Sequence, residues 1–531
     1  MKAAEKRQLR PDPLLKDIAS FNARFRAALG DWRRLDRVRG FGGPDNPYDD
    51  FAPELERLFG RTRKAFDQRN MRLVRDAYAA LFATLALKDD YGFAITRPKS
   101  ISICDEQVRY LRAVGETASP GHRGVELTEG MHRLRRDLWE GCRLTVQSLL
   151  ECAPMSPDVR DAWLDELIAA LRHDREREAD RWLREAVQLR RGALGLRELA
   201  LQDRPWRPQA WLDWLEAIAT QEDPACLLRA AKEALQNIPE GLESRAVAAD
   251  HLACAAQARA DHESMLTALW EAFRAEPFPR RLLDLRDAAR DLKAQDQWML
   301  QVVTRACDQT GGLIPGPFVD GGTGGDQVLF LEDGDQFTSG PANATTACAL
   351  MLAGNWQEAF KMARDDGYPD WVGATTARSF ILPVIMAWLV GWPERPMPAS
   401  VAASLQDALD LFEVTKEPEG RVSRRLRRAL EEVVPTWKEP TQAVKAVTVN
   451  TCVRLVRAGV QVMLGGGRHP RVESALVMVA ATAEVLQVQQ SDAAALKFLN
   501  EFVAKHRQHR DFTSRLRSRG RQVLGVRSAP S

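Results

Sequence analysis

The sequence predicts an all-α chain built as a degenerate helix-hairpin repeat array, an α-solenoid. Three observations carry that expectation. Apolar residues recur at helical spacing along nearly the whole length. Strand-like alternation is scarce, its best examples being Phe93–Thr96, Ile101–Ile103 and the weaker Gln327–Leu331. One pattern occurs twice in gapless register, LLRAAKEALQNIP at Leu227–Pro239 and MLTALWEAFRAEP at Met265–Pro277.

Taken in order, the elements announce themselves by their ends and their stripes. Met1–Arg10 is charged and lacks the apolar run of a signal peptide. A basic helix follows, and the loop GFGGPDNP at Gly40–Pro47 separates it from the next element. Asn70–Phe82, with Ala77, Tyr78, Ala80 and Leu81, echoes the second helix of a repeat. Ser156-Pro157-Asp158 is a helix start, because Ser caps free amides, Pro suits the first turn and Asp complements the dipole. The helix it opens carries Leu164, Leu167, Ile168 and Leu171 on one stripe. After Pro208, Trp211, Trp214, Leu215 and Ile218 repeat that spacing.

The recurrence then defines a hairpin with an offset of about 38 residues, close to the period of two-helix solenoid repeats. Ala230/Ala268, Glu233/Glu271, Ala234/Ala272 and Pro239/Pro277 match, and Leu235 corresponds to Phe273. Small residues let the paired helix approach, the large one fills the gap, and Pro ends the helix. Between the copies, Gly241–Ala258 supplies the first helix of a hairpin, with Leu242, Ala246, Ala249 and Ala253 at helical spacing. Farther on, Ala353–Phe360 reads as a tight Gly turn entering a second helix, as in a tetratricopeptide repeat. Phe380–Trp392 is the most apolar run; it contains Pro383 and is shorter than the roughly 20 residues of a membrane span, so it reads as a buried core helix. Trp392–Ser400 is a proline-rich connector, and Gly465–Gly467 stops a helix. The glycines of 311–326 divide the array, giving an N-terminal block at 1–310, a connector at 311–340 and a C-terminal block at 341–531 that ends in a basic helix.

The bulk numbers exclude several classes. Lys and Arg total 75 against 73 Asp and Glu, so no global field favours nucleic acid or an acidic surface. The 8 cysteines are scattered without a Cys-x-x-Cys, and several, Cys254 among them, sit among apolar neighbours. That pattern is expected of buried thiols in a reducing, cytoplasmic setting.

Three segments carry a family resemblance: Arg109-Tyr110-Leu111-Arg112-Ala113-Val114, Ile238–Asp250 and Phe498–Arg517, the last suggesting a closing helix pair. Their order resembles the helical region that accompanies SWIM-type zinc fingers in bacterial proteins, itself similar to tetratricopeptide solenoids. The resemblance implies a fold across most of the chain and no functional residue. The Cys-x-Cys and Cys-x-His pairs that bind metal in a SWIM finger are absent.

Motifs that carry chemistry are incomplete throughout. Asp320–Gly325 has the glycines of a phosphate loop but not the Lys-Ser/Thr ending, and reads as a connector. Asp333-Gly334-Asp335 lacks the spacing of an EF-hand and reads as a tight turn. Glu129 and His132 form a single Glu-x-x-His where a di-iron site needs two. His506 and His509 lie in a run of Arg that repels a cation, and are expected at the surface. No Gly-x-Ser-x-Gly elbow occurs. The remaining constellation is electrostatic: Arg507, Arg510, Arg515, Arg517, Arg519 and Arg521, interrupted by Phe512 and Leu516, with Arg24, Arg26, Arg33, Arg34, Arg37 and Arg39 near the other end. These arginines either contact nucleic-acid phosphates or form a solvated terminal helix anchored by Phe512 and Leu516, the second being the preferred reading. The expected function is a non-catalytic scaffold or adaptor without cofactor or membrane span, whose concave groove binds a protein partner or peptide. The alternative is an accessory nucleic-acid-binding protein using the Arg-rich termini.

Overall fold

A computed structural model describes residues 12–39, 51–87, 101–138, 144–174, 176–202, 207–221, 223–293, 298, 343–365, 376–413, 421–465 and 472–523. Among these residues the chain forms 22 α-helices and one short 3-10 turn, and no strand. The all-α expectation holds, and the arrangement is consistent with a helical-repeat array. Two compact units divide in the last turn of one helix, the first ending at Ala217 and the second beginning at Ile218. The Gly-rich connector expected at 311–340, the Gly40–Pro47 loop, the strand candidates Phe93–Thr96 and Gln327–Leu331 and both rejected loop motifs lie outside the described residues.

Unit 1 contains α1 (Pro13–Arg39), α2 (Ala52–Asp67), α3 (Met71–Leu85), α4 (Ile103–Thr117), α5 (Arg123–Leu138), α6 (Val146–Glu151), α7 (Pro157–Leu171) and α8 (Arg177–Gln202), and most of α9 (Pro208–Ala219). From α1 to α8 each helix packs chiefly on helices one or two places along the chain. The stripes anticipated on α7 and α9 are buried as expected. Ile101–Ile103 is not a strand: Ser102 caps α4, its hydroxyl accepting the Asp105 N–H at 3.4 Å. Ser156 occupies the capping position of α7 but makes no side-chain cap bond. Gly124 lets α5 approach α7 closely, since a Cβ there would collide with the Glu166 carbonyl.

Charged side chains tie these successive helices together. Arg75 on α3 meets Glu126 on α5 at 2.8 Å, and Arg123 on α5 meets Glu166 on α7 at 2.9 Å. Deepest is Glu106 on α4, 0% exposed, which accepts from Arg63 at 2.5 Å, from Arg109 at 2.9 Å and from the Tyr78 hydroxyl. Burial first, and the Glu106 charge second, push the Tyr78 hydroxyl well above its ordinary value, so it stays protonated and donates.

Unit 2 begins with the hairpin helices α10 (Pro224–Asn237), α11 (Glu243–Ala258), α12 (His262–Ala275) and α13 (Pro279–Asp291). Both copies of the recurrent pattern are helical and equivalently buried: Ala230 and Ala268, Ala234 and Ala272, Leu235 and Phe273 all face inward. In α11 the inward stripe runs through Leu242, Ala246, Ala249 and Leu252, while Ala253 is only half-buried.

The rest of unit 2 comprises α14 (Asn343–Leu352), α15 (Trp356–Asp365), α16 (Ala377–Leu389), α17 (Ala399–Asp410), α18 (Arg421–Val433) with the 3-10 turn Val434–Thr436, α19 (Gln442–Gly465), α20 (Val472–Gln489), α21 (Asp492–Lys505) and α22 (Arg510–Val523). Arg425 on α18 binds Asp284 and Asp287 on α13 at 2.8 and 2.9 Å, so the hairpin region packs with the C-terminal helices. Here α20 is a hub, touched by α16, α17, α19, α21 and α22. Every residue from Ala475 to Leu486 is buried, which is possible only for a helix enclosed on all faces. By length and composition α20 could cross a membrane, yet 67% of it is buried inside the unit. Its Glu484 takes the place of a capping side chain for α17: the Ser400 and Val401 N–H groups donate to it at 3.1 and 2.9 Å. The run at Phe380–Trp392 is the buried core helix expected, α16, with Pro383 inside it.

The expectation of buried thiols holds in part. Cys348 and Cys452 are buried and free, and burial pushes the Cys452 thiol up to about 12. Cys254, however, is exposed, and Cys104 is disulfide-bonded. Local apolar sequence around Cys254 did not decide its face, because the buried stripe of α11 passes through Leu252 and Ala255 instead.

Candidate functional site

A concavity lies in unit 2, where the ends of several helices meet. It starts from a local turn. Val390 closes α16 and Gly391 adopts φ +94°, the left-handed conformation that favours glycine. The Gly391 N–H then donates to the Trp388 carbonyl at 2.9 Å and the Trp392 N–H to that of Ala387 at 3.1 Å. This pairing is a Schellman closure, and it throws Trp392 back beside the helix it has just left.

A cavity of about 320 Å3 opens beside this turn, lined by Trp388, Trp392 and Trp437 together with Val434, Pro435 and Val488. Trp388 lies tilted against Trp356, centroids 4.8 Å apart, and meets Trp437 edge-to-face at 5.8 Å. The aromatic wall is thus braced by its own packing. Gln489 at the end of α20 donates from its side-chain amide to the Leu389 carbonyl, fixing the two helix ends to each other. At the rim, Lys445 on the first turn of α19 pairs with Glu439 at 2.9 Å and holds that carboxyl below the usual carboxylate range. Glu394 and Arg395, both exposed, line it too. Val488, which lines the cavity, is 47% exposed. A braced aromatic wall, one half-exposed valine and a few charges suit noncovalent binding.

The six C-terminal arginines are not brought together as one surface. Arg507 lies in the turn before α22, and the other five are on α22. Phe512 and Leu516 are buried, the anchor that the sequence suggested. Arg515 and Arg519 both pair with Glu473 on α20. Arg507, Arg510 and Arg517 are exposed, with no ion-pair partner among the described residues. Helical geometry puts Arg510 and Arg517 on one stripe, two turns apart and away from the buried face. The side chain of Arg521 lies outside the described residues.

The histidines behave differently from expectation. His506 is 4% exposed, packed against Phe502 and Phe512 with centroids 5.8 and 5.9 Å away, and is not a surface group. Burial, then Lys505 and His509, hold it below the ordinary imidazole value. His132 is bracketed by Asp174 at 2.5 Å and Glu176 at 2.8 Å, while Glu129 is exposed. Among the described residues no group of three or more His, Cys, Asp or Glu side chains is arranged to hold a metal.

The tryptophan cavity was not singled out by sequence reasoning, which treated Phe380–Trp392 as core and Trp392–Ser400 as connector. A signal was present in Trp388-Leu389-Val390-Gly391-Trp392-Pro393, two tryptophans flanking a glycine at a helix end. No protein-family model matches the chain, and no curated protein matches it.

Proposed function

We propose that this chain is a non-catalytic helical-repeat adaptor that binds a segment of a protein partner, and that the tryptophan cavity of unit 2 is where the segment docks. The observation that supports this reading is the braced wall of Trp388, Trp392 and Trp437 in one cavity with half-exposed Val488. Aromatic anchoring pockets with apolar surroundings are the usual centre of a protein interface. A cytoplasmic setting goes with this reading.

Val488→Trp tests it, because that half-exposed position lines the cavity and a larger side chain fills it without entering the core. Tagged wild-type and V488W chains are purified in parallel from the native host, and the captured proteins are quantified by mass spectrometry. Selective loss of a partner from V488W, with unchanged helical circular dichroism, is expected. Identical capture by both chains sinks the reading.

The nucleic-acid alternative has one observation in its favour, the open stripe of Arg510 and Arg517 with Arg507 nearby. Duplex binding across a salt series tests it. Arg510→Ala/Arg517→Ala should then flatten the logarithmic salt slope by about 1 for each phosphate no longer neutralised. Arg515→Ala/Arg519→Ala should leave that slope unchanged.

A further inference from the structure

A methionine and a buried arginine meet at a second concavity, in unit 1. The segment between α6 and α7 borders a cavity of about 310 Å3 whose walls include Leu150, Ala153, Met155 and Leu189. Met155 is half-buried. Against it stands Arg112 of α4, 2% exposed, whose Nη1–H group donates to the Met155 Sδ at 3.9 Å. The guanidinium is held in place from several sides. Its Nε pairs with Glu116 at 2.7 Å, its Nη2 donates to the Pro154 carbonyl at 3.1 Å, and it lies 5.0 Å from the Trp163 ring centre.

A thioether sulfur has two lone pairs, and oxygen added to one or the other gives opposite sulfoxide epimers. At Met155 the arginine hydrogen occupies one of them. The other is left for an oxidant entering from the cavity, which is large enough for a peroxide, roughly twice a water of about 30 Å3. Cys152, three residues away, does not compete. Burial raises its thiol above the ordinary value, and the thiolate is the form that attacks a peroxide. A thioether needs no deprotonation. Met386 also accepts a hydrogen, from Thr482 at 3.7 Å, but it is 0% exposed.

We infer that Met155 is a stereospecific oxidation site, converted by a peroxide to a single methionine sulfoxide epimer because Arg112 masks the other lone pair. The sulfur gives its free pair to one peroxide oxygen and loses two electrons. The S–O bond forms as the O–O bond breaks, and the departing hydroxide takes the proton of the transferred oxygen and leaves as water. The new oxygen sets a polar, chiral group beside Leu150, Ala153 and Leu189, and only one of the two epimer-specific sulfoxide reductases removes it.

The test treats the folded full chain with dilute hydrogen peroxide and follows the tryptic peptide Leu144–Arg160, whose only methionine is Met155, by mass spectrometry. The same synthetic peptide, oxidised free in solution, supplies the reference mixture of both epimers. Met155 should oxidise at least about tenfold faster than buried Met131 and Met386, and one reductase alone should restore at least about nine-tenths of the oxidised peptide. Arg112→Leu, with unchanged helical circular dichroism, should yield both epimers. A mixture of epimers from the wild-type chain, or oxidation of Met155 as slow as that of Met131, overturns the inference. A single epimer that persists in folded Arg112→Leu overturns it too, since the guanidinium then does not choose the face. If Arg112→Leu loses its helices, the wild-type epimer ratio decides alone.

Discussion

In unit 1, helices α1–α8 pack on their nearest neighbours in the chain, whereas α20 in unit 2 is enclosed by α16, α17, α19, α21 and α22. The first arrangement leaves each helix a wet face, and charges reach across it: Arg75 to Glu126 and Arg123 to Glu166 link alternate helices. The second leaves no wet face over three turns, and the polar groups kept there are satisfied locally. Thr482 donates to the Met478 carbonyl at 2.8 Å, and Glu484 receives two backbone N–H groups. Neighbour-only packing tolerates a polar helix and uses ion pairs to set its position. A hub helix has to be apolar all round, and any charge it holds must be fully engaged.

The contrast can be broken most directly at the hub. Leu476 is 0% exposed, and Leu476→Ala should cost about 3 kcal/mol and lower the melting temperature of unit 2. A loss below about 1 kcal/mol would mean that α20 is loosely held. In unit 1 the matching experiment is Glu106→Gln, which keeps the shape but removes the charge facing Arg63, Arg109 and Tyr78. It should cost about 2 kcal/mol. Hydrogen exchange should rise in α3 and α4 while α7 and α8 stay protected, because neighbour-only packing localises damage. Global loss of protection would show that unit 1 is not organised by neighbours.

A smaller effect is expected from pH at the closing pair of helices. Burial holds His506 below the ordinary value of 6.5, so the folded chain prefers the neutral ring. The unfolded chain takes up the proton first as pH falls. The contribution to stability is therefore complete above about pH 6.5 and is lost as pH falls through the folded value. Thermal melts between pH 8 and pH 5 should show this loss, and His506→Leu should flatten it. Smallest of all is Glu473→Gln, which releases Arg515 and Arg519 at an exposed site. A change within about 0.5 kcal/mol is expected from urea unfolding.

Much of this architecture is legible from residue spacing. Helix-forming stripes at Leu164–Leu171 and Trp211–Ile218, the equivalence of Ala230 with Ala268, and the anchoring of the last helix by Phe512 and Leu516 all follow from one-sided periodicity and its interruptions. Periodicity reports which face of a helix is apolar, not what that face meets. Cys254 thus proved exposed and His506 buried, and Ile101–Ile103, which alternates like a strand, became a capped helix start.

Arginines clustered in sequence were separated by helical rotation and by Glu473, a residue some forty positions away. The tryptophan cavity is assembled from three stretches of chain remote in sequence, 388–395, 434–445 and 488–489, so no single segment encodes it. By itself the sequence determined the helices, their apolar stripes and the small-residue hairpins, because those depend on interactions within a few turns. Tertiary structure alone decided that α20 is the hub, that Glu484 caps α17 and that three indoles share one cavity, because those depend on which distant faces meet.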